Sequence, residues 1–253
     1  MAAKPNGSIL IEACVDSVAS ALAAERGGAG RVELCDSLHD GGTTPSAGMI
    51  LAVKSAVRLP VCVIIRPRGG GFVYEDHELG VMRLDIEAAR MLGADGLVVG
   101  ALTPSGTVDE DRLRALVDAA GNLPVTFHRA FDLVRDQASA LETLVRHGVA
   151  RVLTSGGASA AIDGASAIGA LVRSAAGRIA IMAGGGVREE TVQEIVHRTG
   201  VREVHVRGTR VARNRMNGGR EALRLRKVMP EDEFAFEETD EGRIRELVRL
   251  ANG

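Results

Sequence analysis

At 253 residues, with 45% hydrophobic and 25% charged residues, the chain has the make-up of a soluble globular protein, and its length suits one (β/α)8 barrel. A formal net charge of -2 gives no electrostatic reason to expect nucleic acid or an anionic membrane as partner, and one Tyr with no Trp leaves little on which bases could stack. No apolar run approaches the roughly 18 residues of a membrane span, and residues 1–8 carry one lysine and no apolar core, so neither a membrane helix nor a signal peptide is expected.

Short β-rich runs alternate with helical stretches along the chain. A first strand is expected over 9–14, then a helix over 17–26 that stops at Gly27-Gly28. A second strand over 32–35 leads into Gly41-Gly42-Thr43-Thr44-Pro45 and a helix to Val57. The third strand, 61–65, is followed by a long loop through Tyr74 and a helix over 76–92. Strands at 96–99, 125–127, 152–154, 179–182 and 203–206 complete the set, with helices near 109–120, 137–147 and 159–174 and one ending at Arg198. Glycine turns at Gly28, Gly93, Gly148 and Gly200 recur at the length of two strand–helix units, which suggests a repeated (βα)2 module. Strict alternation implies a parallel sheet, and eight units favour closure. The expected fold is α/β, a TIM-type (β/α)8 barrel forming a single domain over 1–253. Its last helix is displaced by an excursion over 207–241, too long for an idle connection and read as a lid or an oligomer contact.

Side chains alternate along a strand, so Glu12 with Cys14, and Glu33 with Cys35, each project to one face. Their neighbours Ile11 and Leu34 suit the layer between barrel and helices. By the same parity Arg66, His128 and His205 point inward, which gathers Glu12, Glu33, Arg66, His128 and His205 at the C-terminal mouth as candidate acid–base and ligand residues. A buried charge needs a partner, so a structural ion network of Glu and Arg is the alternative meaning of the same residues. Ser155-Gly156-Gly157 and Gly184-Gly185-Gly186 end two strands where barrels commonly hold anions on backbone N–H groups. Cys14 and Cys35 could offer thiolates to a soft ion, Met182 a thioether, while Cys62 reads as packing. Lys4, Lys54 and Lys227 lie outside the expected strands, so Schiff-base chemistry is not expected.

Several blocks then resemble one family in order. They are Glu12-Ala13-Cys14-Val15-Asp16-Ser17, Arg31-Val32-Glu33-Leu34-Cys35, Ile65-Arg66-Pro67-Arg68-Gly69-Gly70, Phe127-His128-Arg129-Ala130-Phe131-Asp132, Leu153-Thr154-Ser155-Gly156-Gly157 and Gly184-Gly185-Gly186-Val187. Together they are similar to the CutC copper homeostasis family. The resemblance implies a TIM-type barrel, a cytoplasmic location, a homo-oligomer (dimer or tetramer) and a link to Cu(I), for which Cys14 and Cys35 are the candidate ligands among these residues. No organic cofactor is implied. Ala183 stands where that family usually has proline, and Val206-Arg207 replace its small residues. Three readings stay open: a Cu(I)-binding protein, an enzyme acting on a small anionic or phosphorylated substrate, and an oligomeric scaffold, which would leave the converging polar residues unused.

Overall fold

The computed structural model describes residues 7–213 and 234–253. Eight parallel strands close into a barrel in chain order: β1 (Leu10–Val15), β2 (Arg31–Leu34), β3 (Val61–Ile64), β4 (Gly96–Val99), β5 (Val125–Phe127), β6 (Arg151–Thr154), β7 (Ala180–Ala183) and β8 (Glu203–Val206), which pairs back onto β1. The helices between them are α1 (Val18–Arg26), α2 (Ala47–Ala56), α3 (Asp76–Met91), α4 (Glu110–Ala120), α5 (Gln137–Arg146), α6 (Ala165–Ala175) and α7 (Val192–Thr199), and α8 (Glu241–Asn252) ends the chain.

Local chemistry sets these boundaries. Ser17, Ser46, Asp109, Asp136 and Asp240 accept hydrogen bonds from N–H groups in the first turns of their helices, each cap being worth about 1 kcal/mol. Gly28, Gly93, Gly148 and Gly200, the four turn glycines, have φ of 88°, 84°, 70° and 73°, a conformation that glycine adopts without steric cost.

The period-2 alternation sorts the strand residues into two layers. Ile11, Val32, Val63, Leu97 and Val152 face outward and merge with Ile86, Leu116, Leu141, Ile168 and Ile195 of the helices in one continuous core. Burying each such Leu or Ile contributes about 1.5–3 kcal/mol. Facing inward is a much smaller apolar cluster of Cys14, Cys35, Cys62, Ile64 and Val98. Apart from Met182 and Leu153, the remaining large inward side chains are polar or charged, among them Glu12, Arg31, Glu33, Arg151, Glu203 and His205.

Two elements differ from expectation. Helix α6 starts at Ala165 rather than at 159, because the chain after β6 first folds back on itself: a Cβ on Gly164 would stand 1.9 Å from the Ser155 carbonyl oxygen. After β8 the chain enters an antiparallel hairpin of β9 (Thr209–Arg213) and β10 (Ala235–Thr239), outside the barrel. Residues 214–233 of the excursion lie outside the described residues. Beyond the hairpin, α8 packs between α7 and α1, with Ile244 and Leu247 buried, so the helix displaced in sequence takes the eighth outer place. Among the described residues no helix is long and apolar enough to cross a membrane.

Candidate functional site

Strand register stacks the inward side chains in layers. Glu12 is level with Arg31 on one side and His205 on the other, while Cys14 is level with Glu33. The lowest layer is an ion network. Arg31 donates Nε to Glu12 and Nη2 to Glu203 at 2.5 Å, and its Nη2 lies 3.5 Å from the sulfur of Met182. Arg151 adds its own pair with Glu203 and donates to Thr126 Oγ1 at 3.0 Å. Glu12 is 1% and Arg31 6% exposed. Charges this deep persist only when paired. The structural network anticipated for Glu12 therefore exists, but with Arg31 rather than Arg66. Met182 belongs to this floor and not to the thiols.

Above the floor His205 bridges two carboxylates, Nδ1 at 2.9 Å from Glu12 and Nε2 at 3.6 Å from Glu33. Burial alone would lower the imidazole pKa, but its bonds to Cys14 and Glu12 and the charge of Glu33 raise it well above the usual histidine range. Burial pushes Glu12 up, and the hydrogen bond and charge of His205, with the charge of Arg31, outweigh that and hold its carboxyl well below the usual range. Glu33 goes the other way: burial, helped by the negative charges of Cys14 and Glu12, raises it against the pull of His205. The two glutamates are thus pushed in opposite directions in one cavity, the condition for dividing acid and base roles.

Cys14 and Cys35 meet beside this pair, their sulfurs 3.7 Å apart. The hydrogen bond from Cys35 lowers the Cys14 thiol, assisted by His205 against burial, and the same bond raises Cys35. Cys62 lies deeper, and burial pushes it up to about 12, as a packing residue. Donor atoms of Cys14, Cys35 and Glu33 lie within 4.8 Å of one another, as do those of Glu12, Glu33 and His205.

Over these layers opens a cavity of about 880 Å³ whose wall includes Cys14, Glu33, His205, Arg66, His128 and Gly185. His128 stands apart from the carboxylates and packs on Phe72, ring centroids 4.8 Å apart. Its Nδ1 accepts from the Ala130 N–H at 3.2 Å, which places the ring proton on Nε2, and Nε2 is buried without a partner. Burial, with the charge of Arg66, lowers its pKa to about 3, so the ring is neutral. The approach is so close at Gly100 that a Cβ there would stand 2.3 Å from His128 Cε1.

Three expected roles change on this geometry. Arg66 is one of the candidate ligand residues that inward parity gathers at the mouth. Its Nη1 instead donates to the carbonyls of Asp40 and Gly42 at 2.6 and 2.8 Å, and its Nη2 to that of Gly70 at 2.8 Å. It ties the loops after β2 and β3 together, leaving a buried Nε–H unpaired. The N–H groups of Ser155 and Gly157 both go to Asp132 and that of Gly156 to Thr154 Oγ1, so this loop offers no free donors. Gly184 donates to Thr154 O, whereas the N–H groups of Gly185, Gly186 and Val187 have no acceptor among the described residues. Sequence reasoning passed over Arg31, Arg151 and Glu203 as the floor, although they share the inward parity, and over Arg129 and Asp132, which sit in the same block as His128.

The CutC family model matches residues 9–210. The copper homeostasis protein cutC homolog of Mus musculus is 46% identical over 242 residues, covering 96% of this chain and 89% of that protein. The crystal structure of CutC from Streptococcus agalactiae superposes with a TM-score of 0.75 at 41% identity, over 78% of this chain and 97% of that one. N-(5'-phosphoribosyl)anthranilate isomerase from Pyrococcus furiosus shares the fold alone, at a TM-score of 0.58 and 13% identity over 96% and 98% of the two chains.

Proposed function

The chain belongs to the CutC family, and from that premise we propose that it takes up Cu(I) at the C-terminal mouth of its barrel, with Cys14 and Cys35 as the soft ligands. The observation that carries this reading is the 3.7 Å separation of the two sulfurs beside the Glu33 carboxylate. Two metal–sulfur bonds of ~2.3 Å meeting at about 120° place their sulfurs ~4 Å apart, so a three-coordinate ion needs only a small opening of the pair. Glu12 and His205 are committed to each other, which leaves Glu33 as the third donor. Thiolates favour Cu(I) over harder ions, and loading releases the protons of Cys35 and Glu33. Those lost protons offset the nearby His205 charge. A reducing compartment such as the cytoplasm suits this use, since all three cysteines are free thiols. We further read the chain as a homo-oligomer, for which exposed Val81, Leu84 and Met91 on α3 supply an apolar face. The copper test is competition against a chromophoric Cu(I) chelator. Wild type is expected to bind at least tenfold more tightly than Cys14→Ser plus Cys35→Ser, and equal affinity overturns the assignment.

A second reading is favoured by a separate observation, the buried and unpartnered Nε2–H of His128 at the cavity wall. An unpaired buried donor costs about 1–3 kcal/mol, which a ligand acceptor would recover. In this reading the mouth accepts a small anionic substrate, with Glu33 as the acid and His205 charged beside it. Turnover would then be lost in Glu33→Gln while the fold persists.

A further inference from the structure

Arg129 follows His128 at the end of β5 and is held from two sides. Its Nε donates to Asp132 at 2.7 Å and its Nη2 to Ser155 Oγ at 2.9 Å. Its Nη1 has no partner among the described residues, and the side chain is 42% exposed. Asp132 is itself anchored by the N–H groups of Ser155 and Gly157 and the hydroxyl of Thr154, so the guanidinium is fixed before any ligand arrives. It lies directly against the loop after β7, where a Cβ on Gly185 would stand 3.1 Å from Arg129 Cζ. Glycine at that position lets the guanidinium approach the backbone whose Gly185, Gly186 and Val187 N–H groups have no acceptor among the described residues. Arg207, Arg210 and Arg243 on the same rim also have carboxylate partners, Glu237, Glu238 and Glu189, but only Arg129 lies against the Gly185 backbone.

We propose that Arg129 and the N–H groups of Gly185, Gly186 and Val187 form a phosphate subsite, and that His128 Nε2–H receives a hydroxyl or carbonyl oxygen from the body of the same small phosphorylated molecule. The inference rests on the small-anion reading of the mouth and names its ligand class. Phosphate is favoured over carboxylate because donors here come from a guanidinium edge and from a backbone loop. A tetrahedral group with three oxygens can meet both, whereas a planar carboxylate is best matched by a single fork. The buried, unpartnered His128 donor is the independent sign that the cavity is built for an acceptor.

The test is calorimetry with inorganic phosphate and with glycerol 3-phosphate on wild type, Arg129→Gln, Arg129→Lys and His128→Phe, each checked by circular dichroism. Arg129→Gln is expected to weaken both ligands at least tenfold. Arg129→Lys keeps the charge beside Asp132 but loses the second planar donor, and weakens both several-fold. His128→Phe keeps the packing on Phe72, weakens glycerol 3-phosphate at least fivefold and leaves inorganic phosphate unchanged. Wild type that binds neither ligand, or binding indifferent to Arg129, overturns the subsite. Binding that follows this pattern with no turnover by wild type on any phosphorylated compound sustains the subsite and removes the acid–base role of Glu33. Cu(I) affinity measured on the same variants stays at the wild-type value in either case, because neither residue touches the thiols.

Discussion

Replacing Arg31 with Met removes the one side chain that links Glu12, Glu203 and Met182 in the barrel floor. Methionine fills much of the space, so the change is electrostatic more than steric. Glu203 keeps Arg151, and Glu12 keeps His205 at 2.9 Å, so neither carboxylate is stranded completely. Breaking a buried pair usually costs about 3–5 kcal/mol, and these surviving partners put the expected loss near the lower end, about 3 kcal/mol. With a urea m-value of about 3 kcal/mol per M for a chain of this size, the unfolding midpoint falls by about 1 M. The same measurement on Glu12→Gln and on the double variant closes a thermodynamic cycle. Removing the stranded carboxylate's charge recovers about 1–2 kcal/mol, so the double variant is more stable than the sum of the single losses predicts. Additive losses, or a midpoint shift under about 0.3 M for Arg31→Met, would show that the floor network does not hold the barrel together.

The remaining predictions concern His128. Its folded-state pKa of about 3 lies below the 6.5 of a free histidine, so the unfolded chain binds the extra proton between these values. The stability from keeping this ring neutral is complete above pH 6.5 and is lost as pH falls towards 3, by at most about 1.4 kcal/mol per pH unit. Urea melts at pH 6.5, 5.5 and 4.5 should show wild type losing stability more steeply than His128→Phe, and parallel profiles would refute the buried neutral ring. Gly100→Ala places a Cβ 2.3 Å from Cε1 and 2.5 Å from Nδ1 of His128. The ring must move, at a cost of about 1–3 kcal/mol, and its imidazole resonances should shift; unchanged resonances contradict the packing.

Much of the architecture was legible in the sequence because it follows from local periodicities. Period-2 alternation at Glu12/Cys14 and Glu33/Cys35 placed those residues inside, and the four glycine turns marked where helices give way to strands. Partner choice was not legible. Glu12 pairs with Arg31 and His205 because barrel stagger sets all three at one height, whereas Arg66 lies past the end of β3. Height along the axis depends on register between strands, which no single strand encodes. The two glycine loops likewise look alike as strings. They differ because Asp132, from the preceding loop, reaches the N–H groups of Ser155 and Gly157 and no comparable carboxylate reaches Gly185 or Gly186 among the described residues. Arg129, held by Asp132 and Ser155 one residue from His128, was not singled out, because its placement against the Gly185 backbone is a tertiary contact. The start of α6 was misplaced for a similar reason, since the return of Gly164 onto Ser155 is a tertiary contact.

The copper assignment is tested most directly by X-ray absorption at the Cu K-edge on reduced protein loaded with one equivalent of Cu(I). The site built from Cys14, Cys35 and Glu33 predicts a three-coordinate ion with two sulfurs at ~2.3 Å and one lighter donor at ~2.0–2.2 Å, and loss of the sulfur shell in the double serine variant. A first shell of nitrogen and oxygen alone in wild type, or a sulfur shell that survives both substitutions, would contradict it.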